Sequence, residues 1–502
     1  MSRRIFESVQ MPRPRMSGFD LSHERKLSCN AGELIPCFVQ EVIPSDHFNV
    51  ETEVMVRVAP LLAPMMHRVN VFVHYFFVPN RIVWDQWEEF ISGGREGTST
   101  AVLPMRTIEA LKDDIGAFEG TLLDYMGLPS VADSAVDPAI KVSELPLRAY
   151  HQIYNDYFID SNLKDAVDYT DITKLTRMRN RSWEKDYFTS CLPWAQRGAQ
   201  ATINGEVNYM SNSSWYKDDG VTNATNVANI TGGVEGKTLI DFVTGGIQPA
   251  QLHNIDSISF DINDFRRTSA LQRWLEKNAL GGWRYNEILL SHFGVRSSDA
   301  RLQRAEYLGG GRQPLTISEV LNTTGTATAP QGDMTGHGIS VGETNHFNYQ
   351  VEEHGYIIGI LSIMPRSNYQ QGIPKHFLRE DRTDFVWPEF ANIGEQVVQN
   401  MEIFYSQDES TQNTDTFGYQ QRYAEMKYGM STIHGEFRSS LDYWHWGRIF
   451  DFLPVLNNTW MTKEPSERPF ATQDGSHKFW VQMYHHVKAR RPLPYFANYK
   501  LS

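Results

Sequence analysis

The run Phe48 to Val58, FNVETEVMVRV, constrains the fold more than any other stretch of the chain. Val50, Val54, Val56 and Val58 fall on one side of an extended backbone, and Glu51, Glu53 and Arg57 on the other. Alternation with period two predicts a half-buried strand over Asn49 to Val58. The runs on either side, LIPCFVQEVI from Leu34 and RVNVFVHYFFV from Arg68, are rich in Val, Ile and Phe, which favours sheet again. Further on, EHGYIIGILSIMP reads as a buried strand. VVQNMEIFY, YAEMKYGMSTIHGEF and an alternating run from Trp480 to Val487 read as others. About eight strands of roughly six residues each would place only some fifty residues in sheet, so helices and long loops must decorate a β core.

The helical signals are short. After Asn80, Trp84, Trp87 and Phe90 recur at helical spacing, and Leu147, Tyr150, Tyr154, Tyr157 and Phe158 share one helical face. Asp261, with Asp264 three residues on, caps a helix whose expected inner face is Phe265, Leu271, Trp274 and Leu275. A second helix is expected from Trp283 to Phe293, with Gly281 and Gly282 before it and Gly294 after it. The dense charges Arg296, Asp299, Arg301, Arg304 and Glu306 follow, and Gly309 to Gly311 suggest a turn or a close approach to another chain. With no nucleophile, metal cluster or phosphate cradle there, the segment reads as an interface connector, and Arg301, Arg304 and Glu306 are its candidate subunit contacts.

Two regions look like surface excursions, namely the Asn, Thr, Gly and Ser rich stretch 198–257 and the polar stretch 322–348. The first thirty residues read as an extended basic arm. Six Arg or Lys face three acids over residues 1–26, and Pro12 and Pro14 oppose regular structure. Arg3, Arg4, Arg13 and Arg15 are its candidate nucleic-acid or inner-surface contacts, with Phe6 and Phe19 available for base stacking, and an arm that ties neighbouring subunits together fits equally well. Such contacts have to be local, because the 502-residue chain carries a net charge of −13. Three cysteines, Cys29, Cys37 and Cys191, suit free thiols in a reducing compartment. The opening MSRRIFESVQMPRPR has no signal-peptide character, and Tyr356 to Met364 is far short of a membrane span.

Chemical motifs are weak. GGVEGKT, Gly232 to Thr238, has Thr231 where a phosphate loop needs its first glycine. His485 and His486 would point to opposite faces of a strand and would not share a metal. Cys29, Cys37 and His23 lack a four-ligand spacing, and Cys191 lacks a base. The glycosylation patterns at Asn223 and Asn229 mean little without a secretory signal. Arg266, Arg267, Arg273 and Lys277 form a basic helix face that suits solvent or a subunit contact as well as phosphate. No catalytic residue, cofactor site or metal site is expected.

Several stretches, in order along nearly the whole chain, resemble one family. They include FDLSHERKLSCNAGELIPCFVQEVIPSDHFNV, HYFFVPNRIVWDQWEEF, LPLRAYHQIYNDYF, DYFTSCLPWAQRG, GGWRYNEILLSHFGVRSSDARLQRAEYLGGG, EHGYIIGILSIMPRSNYQQGI, FGYQQRYAEMKY and ARRPLPYF. These are similar to the major capsid proteins of the Microviridae, above all the gokushovirus-like single-stranded DNA bacteriophages. The resemblance implies a mainly β fold, an eight-stranded antiparallel jelly roll with long helical and loop insertions, preceded by the arm 1–30 and occupying residues 31–502. It implies about sixty copies in a closed T=1 shell around a circular single-stranded DNA genome. The implied partners are a small basic packaging protein, a DNA pilot protein and a host cell-surface receptor, with no membrane insertion. The protein would be made in the host bacterial cytoplasm and reside in the virion. Residues 198–257 would be a surface protrusion contributing to host attachment, and 322–348 a variable surface loop. Two other classes fit parts of the chain: a β-sandwich glycan-active enzyme, which needs a facing carboxylate pair, and a receptor-binding fibre, which usually shows repeats.

Overall fold

The computed structural model describes residues 16–92, 99–115, 118–129, 140–196, 206–209, 255–259, 262–281, 304–321, 323, 334–407 and 412–496. In chain order its strands are β1 (Ser17–Asp20), β2 (His23–Cys29), β3 (Ile35–Val42), β4 (His47–Val58), β5 (Val69–Pro79), β6 (Met105–Thr107), β7 (Lys141–Ser143) and β8 (Glu206–Tyr209). There follow β9 (Ile255–Ser259), β10 (Glu306–Pro314), β11 (Thr316–Leu321), β12 (Met334–Gln350), β13 (Gly355–Pro365), β14 (Glu395–Gln399), β15 (Thr416–Gln421) and β16 (Phe479–Arg491).

Two antiparallel sheets carry the architecture. One has the order β1-β16-β4-β12-β11 with β2 also on β16, and the other the order β10-β5-β13-β3. A single apolar cluster draws on both. Val50, Val54 and Val56 of β4 and Phe479, Val481 and Met483 of β16 join Val71, Val73 and Tyr75 of β5 and Ile357 and Leu361 of β13. The strand β5 is buried on both faces: Phe76 and Val78 turn away from this cluster into a second one built with the helix Leu145–Ile153. That helix supplies Leu147, Tyr150 and Ile153, and the following π-helical turn Tyr154–Phe158 continues the same face. The mainly β character and the Leu147-to-Phe158 helical stripe are as the sequence indicates.

A polar relay crosses the sandwich. Cys37 O can only accept, so His485 Nε2 donates to it at 3.1 Å. Its Nδ1 must then accept from the Thr52 hydroxyl at 2.9 Å, which leaves Thr52 Oγ1 to accept from Tyr75 at 2.5 Å. Burial lowers the His485 pKa to about 3, so the ring is neutral at physiological pH. His486, on the opposite face of β16, is partly exposed and pairs with Glu53 at 2.9 Å. The C-terminal end of β16 is fixed separately, by Arg491 on the buried Asp46 at 2.8 Å.

Several expectations need correction. The arm is sheet in its second half, since β1 and β2 pair with β16, and only residues 1–15 lie outside the described residues. Strands are longer than expected, with β4, β5, β12, β13 and β16 at 11 to 17 residues. Most of the presumed loop 322–348 is β12, a central strand paired with β4. Apart from Phe347 near its end, its inward positions hold Gly336, Gly338, Ser340 and Asn345 instead of apolar side chains, which erases the usual pattern. A Cβ at Gly336 would stand 2.5 Å from Ala63 O, so that face is filled by close backbone approach.

The three glycines 309–311 make no turn but lie within β10. Gly310 has φ +154°, and a Cβ there would sit 2.2 Å from Val73 O, so the close approach is to the neighbouring strand of the same chain. VVQNMEIFY is strand only to Gln399, after which a turn of helix, Asn400–Ile403, begins. In YAEMKYGMSTIHGEF the chain forms two 3-10 turns, Ala424–Met426 and the start of Gly435–Arg438, where a strand was expected.

The chain divides into two compact units, Gln196–Arg296 and the remainder. In the smaller one, β8 and β9 pair antiparallel at the two ends of the expected 198–257 excursion, most of which lies outside the described residues. Its helix Ile262–Gly281 exposes Leu271 and Trp274 by about half, at 49% and 52%, so these two residues of the expected inner face are not buried, Leu275 is half-buried, and the side chain of Phe265 lies outside the described residues. Arg266, Arg267 and Arg273 are exposed on it, while the side chain of Lys277 lies outside the described residues.

Candidate assembly surfaces

The connector between the helical layer and β10 is pinned at Ala305. Its N–H donates to Asp156 at 2.9 Å, and its carbonyl accepts from the Tyr157 hydroxyl at 2.6 Å. This seats the Arg304 guanidinium over the Tyr157 ring, 4.3 Å from its centre. Glu306 meanwhile accepts from the Tyr349 hydroxyl at 2.7 Å. Arg304 and Glu306 thus each engage a tyrosine of their own chain, on different strands or turns, and do not pair with one another. Arg301, the helix expected at Trp283–Phe293, the four arginines of the arm, the GGVEGKT stretch and both glycosylation patterns lie outside the described residues. Phe19, offered for base stacking, stacks instead on Tyr495 at 5.8 Å.

A different surface emerges between residues 377 and 428. The aromatic run Phe385 to Phe390 is exposed in part: Phe385 by 52% and Trp387 by 48%. Phe377, Ile393 and Met426 are more exposed still, at 72%, 65% and 60%. The ridge is nevertheless built rigidly. Tyr423 Oη accepts from the Trp387 N–H at 3.2 Å, Arg379 lies over Phe385 and pairs with Glu425 at 3.3 Å, and Gln396 donates to the same carboxylate at 2.7 Å. Beneath it, buried Glu402 accepts from Lys375 at 2.7 Å and from Tyr187 at 2.9 Å. Apolar groups held this firmly toward solvent mark a surface that meets another molecule. Sequence reasoning missed it because an aromatic run reads as core whichever way it faces.

The titratable groups are disposed as structure, not chemistry. Cys29, Cys37 and Cys191 are buried free thiols, and burial pushes Cys37 up to about 12, far from a reactive thiolate. Glu144, also buried, is held between Arg106 and Arg148, the latter at 2.6 Å. Among the described residues no group of three or more His, Cys, Asp or Glu could hold a metal ion, and no helix is long and apolar enough to cross a membrane.

Comparison with known proteins decides the family. Residues 7–500 match the model of the phage capsid protein (F protein) family. The chain belongs to this family. It is 34% identical to capsid protein VP1 of Bdellovibrio phage phiMH2K, with 96% of this chain and 95% of that protein covered. Against capsid protein VP1 of Chlamydia phage 1 the identity is 32%, covering 98% and 96%, and against that of Spiroplasma virus 4 it is 30%, covering 98% and 96%. The chain is therefore a structural, non-enzymatic capsid protein that assembles into a shell and resides in the virion, as the sequence resemblance implies.

Proposed function

We propose that this capsid protein closes a T=1 icosahedral shell of about sixty copies around a circular single-stranded DNA genome, with an eight-stranded jelly roll as its building unit. The observation that carries this reading is the match over almost the whole chain to capsid proteins of phages. The two facing antiparallel sheets support the jelly roll, since β3, β4, β5, β10, β11, β12, β13 and β16 supply eight strands in two sheets. Arg3, Arg4, Arg13 and Arg15 contact the genome or the inner surface, beside a small basic packaging protein that offsets the chain's net charge of −13. A DNA pilot protein completes the particle. The stretch 198–257 rises as a protrusion that contributes to host-receptor attachment. The subunit is made in the host cytoplasm.

Contacts between copies fall on the exposed ridge of Phe377, Phe385, Trp387, Ile393 and Met426 and on the connector at Arg301, Arg304 and Glu306. Burying such apolar surface between symmetric copies is the general source of shell stability. Size-exclusion chromatography and negative-stain imaging of the expressed protein test the reading. Uniform icosahedral particles are expected; a population made only of monomers or trimers would contradict it.

A further inference from the structure

An open cleft of about 900 Å³ lies on the outer side of the β10-β5 edge, walled by residues 157–162 and 181–185. Its chemistry differs from that of the chain as a whole. Arg181, Lys185, Arg312 and Arg366 line it against two acids, Asp160 and Glu184. Asp160 is already paired with Lys185 at 2.7 Å. Arg312 and Arg366 are exposed and have no carboxylate partner among the described residues. An acidic protein thus presents here a local excess of cation.

The aromatic content is equally specific. Tyr307 is 46% exposed, and its ring is propped from behind by Phe76 at 5.5 Å, His74 at 5.8 Å and Tyr157 at 6.5 Å. Arg181 lies over Phe72 at 4.0 Å and donates to Ser362 at 2.8 Å, so its guanidinium is fixed in place. The irregularity in β10 between Tyr307 and Gly309 explains how ring and cation share one face. Arg312 lies five positions after Tyr307, which would put them on opposite sides of a regular strand. The bulge restores the phase, so Tyr307 stands opposite Phe76, and Arg312 opposite Phe72. Between them Gly309, Gly310 and Gly311 project no side chain. The Cα positions of Tyr307 and Arg312 are then about 13 Å apart along the strand.

We propose that this cleft binds a short segment of single-stranded nucleic acid, with a base stacked on Tyr307 and neighbouring phosphates held by Arg312, Arg366 and Arg181. A stacking residue and a cation rooted about 13 Å apart on one strand face suit a polymer with repeating anions better than a single phosphate. An unstacked base supplies the flat face that Tyr307 can meet, which a duplex does not offer. The inference deepens the reading of the chain as the container of a single-stranded genome and rests on it for its biological occupant.

The test uses the full-length protein, a fluorescent ten-residue oligothymidylate, and anisotropy at several salt concentrations. Arg312→Ala/Arg366→Ala should weaken binding at least roughly 10-fold and reduce the log–log salt slope by about 1.4, at about 0.7 per phosphate contact. Tyr307→Ala should weaken binding roughly 10-fold with the slope unchanged, because stacking is not ionic. Both arginines are exposed, so the double variant should keep the wild-type melting temperature. The inference is overturned if the wild type binds no oligonucleotide or if the arginine variant binds as the wild type does. Equal binding of duplex of the same length, or displacement by polyglutamate as effective as by unlabelled oligonucleotide, would overturn it too. Particle imaging on the same preparations separates the two claims: normal shells with unchanged variant binding sink the cleft alone, whereas absence of shells in the wild type sinks the container reading.

Discussion

The sandwich interior and the ridge between residues 377 and 428 use the same residue types to opposite ends. In the interior, Phe479 is fully buried and meets the rings of Trp446 and Phe470 at 6.2 and 6.1 Å. In the ridge, Phe377 and Trp387 face solvent at 72% and 48% exposure, although the segment beneath them is held by a network of hydrogen bonds and ion pairs. The interior is complete within one chain, whereas the ridge leaves large apolar side chains exposed, as the proposed contact between copies requires. Stability of the subunit and competence to assemble should therefore be separable by mutation.

The largest effect is expected in the interior. Phe479→Ala should lower the unfolding free energy by about 3–5 kcal/mol, as for other buried aromatic truncations, measurable by urea unfolding of dissociated subunits. The polar relay is next. Thr52→Val removes the hydroxyl that joins Tyr75 to His485 and strands both partners in the core, for a loss of about 1–3 kcal/mol. Acid should act on the same interior. Burial holds His151 and His485 near 3, against 6.5 for an exposed ring, so as pH falls the unfolded chain takes up protons first. Stability is full above about pH 6.5 and declines toward pH 3 by up to about 1.4 kcal/mol per pH unit for each ring. Unfolding free energies measured at pH 7, 6 and 5 should show that slope, and His485→Asn should reduce it by about one ring's share. A flat profile would mean that these histidines are protonated in the folded subunit.

How much of this could be read from the sequence depends on whether a side chain reports its own environment. In β4 and β16 it does, because Val and Met alternate with charge and both strands were recognisable from pattern alone. Thr52 occupies the register of Val50 and Val54, but the alternation gave no sign of its tyrosine and histidine partners. In the first half of β12 the side chains are silent: glycine and serine occupy the inward positions Gly336, Gly338 and Ser340, and at Gly336 what packs is backbone. Gly309 to Gly311 misled for a related reason, since glycine marks a close approach without saying whether a turn or a strand makes it. The ridge shows the converse limit. FVWPEF is strongly apolar, but hydrophobicity specifies that a surface be buried, not by which chain. Arg304 and Glu306 were expected to face another subunit, while the tyrosines they meet within the chain lie some 150 and 40 residues away in sequence and became evident only with the fold.

The smallest expected change in subunit stability belongs to the ridge, and it tests the central claim most directly. Phe377→Ala/Trp387→Ala should shift the unfolding free energy by no more than about 0.5 kcal/mol, as exposed positions do. In sedimentation velocity under conditions where the wild type forms shells, the same double variant should remain as slowly sedimenting subunits or small oligomers. Shells of wild-type size and yield from the variant would contradict the assignment of this ridge to contacts between copies.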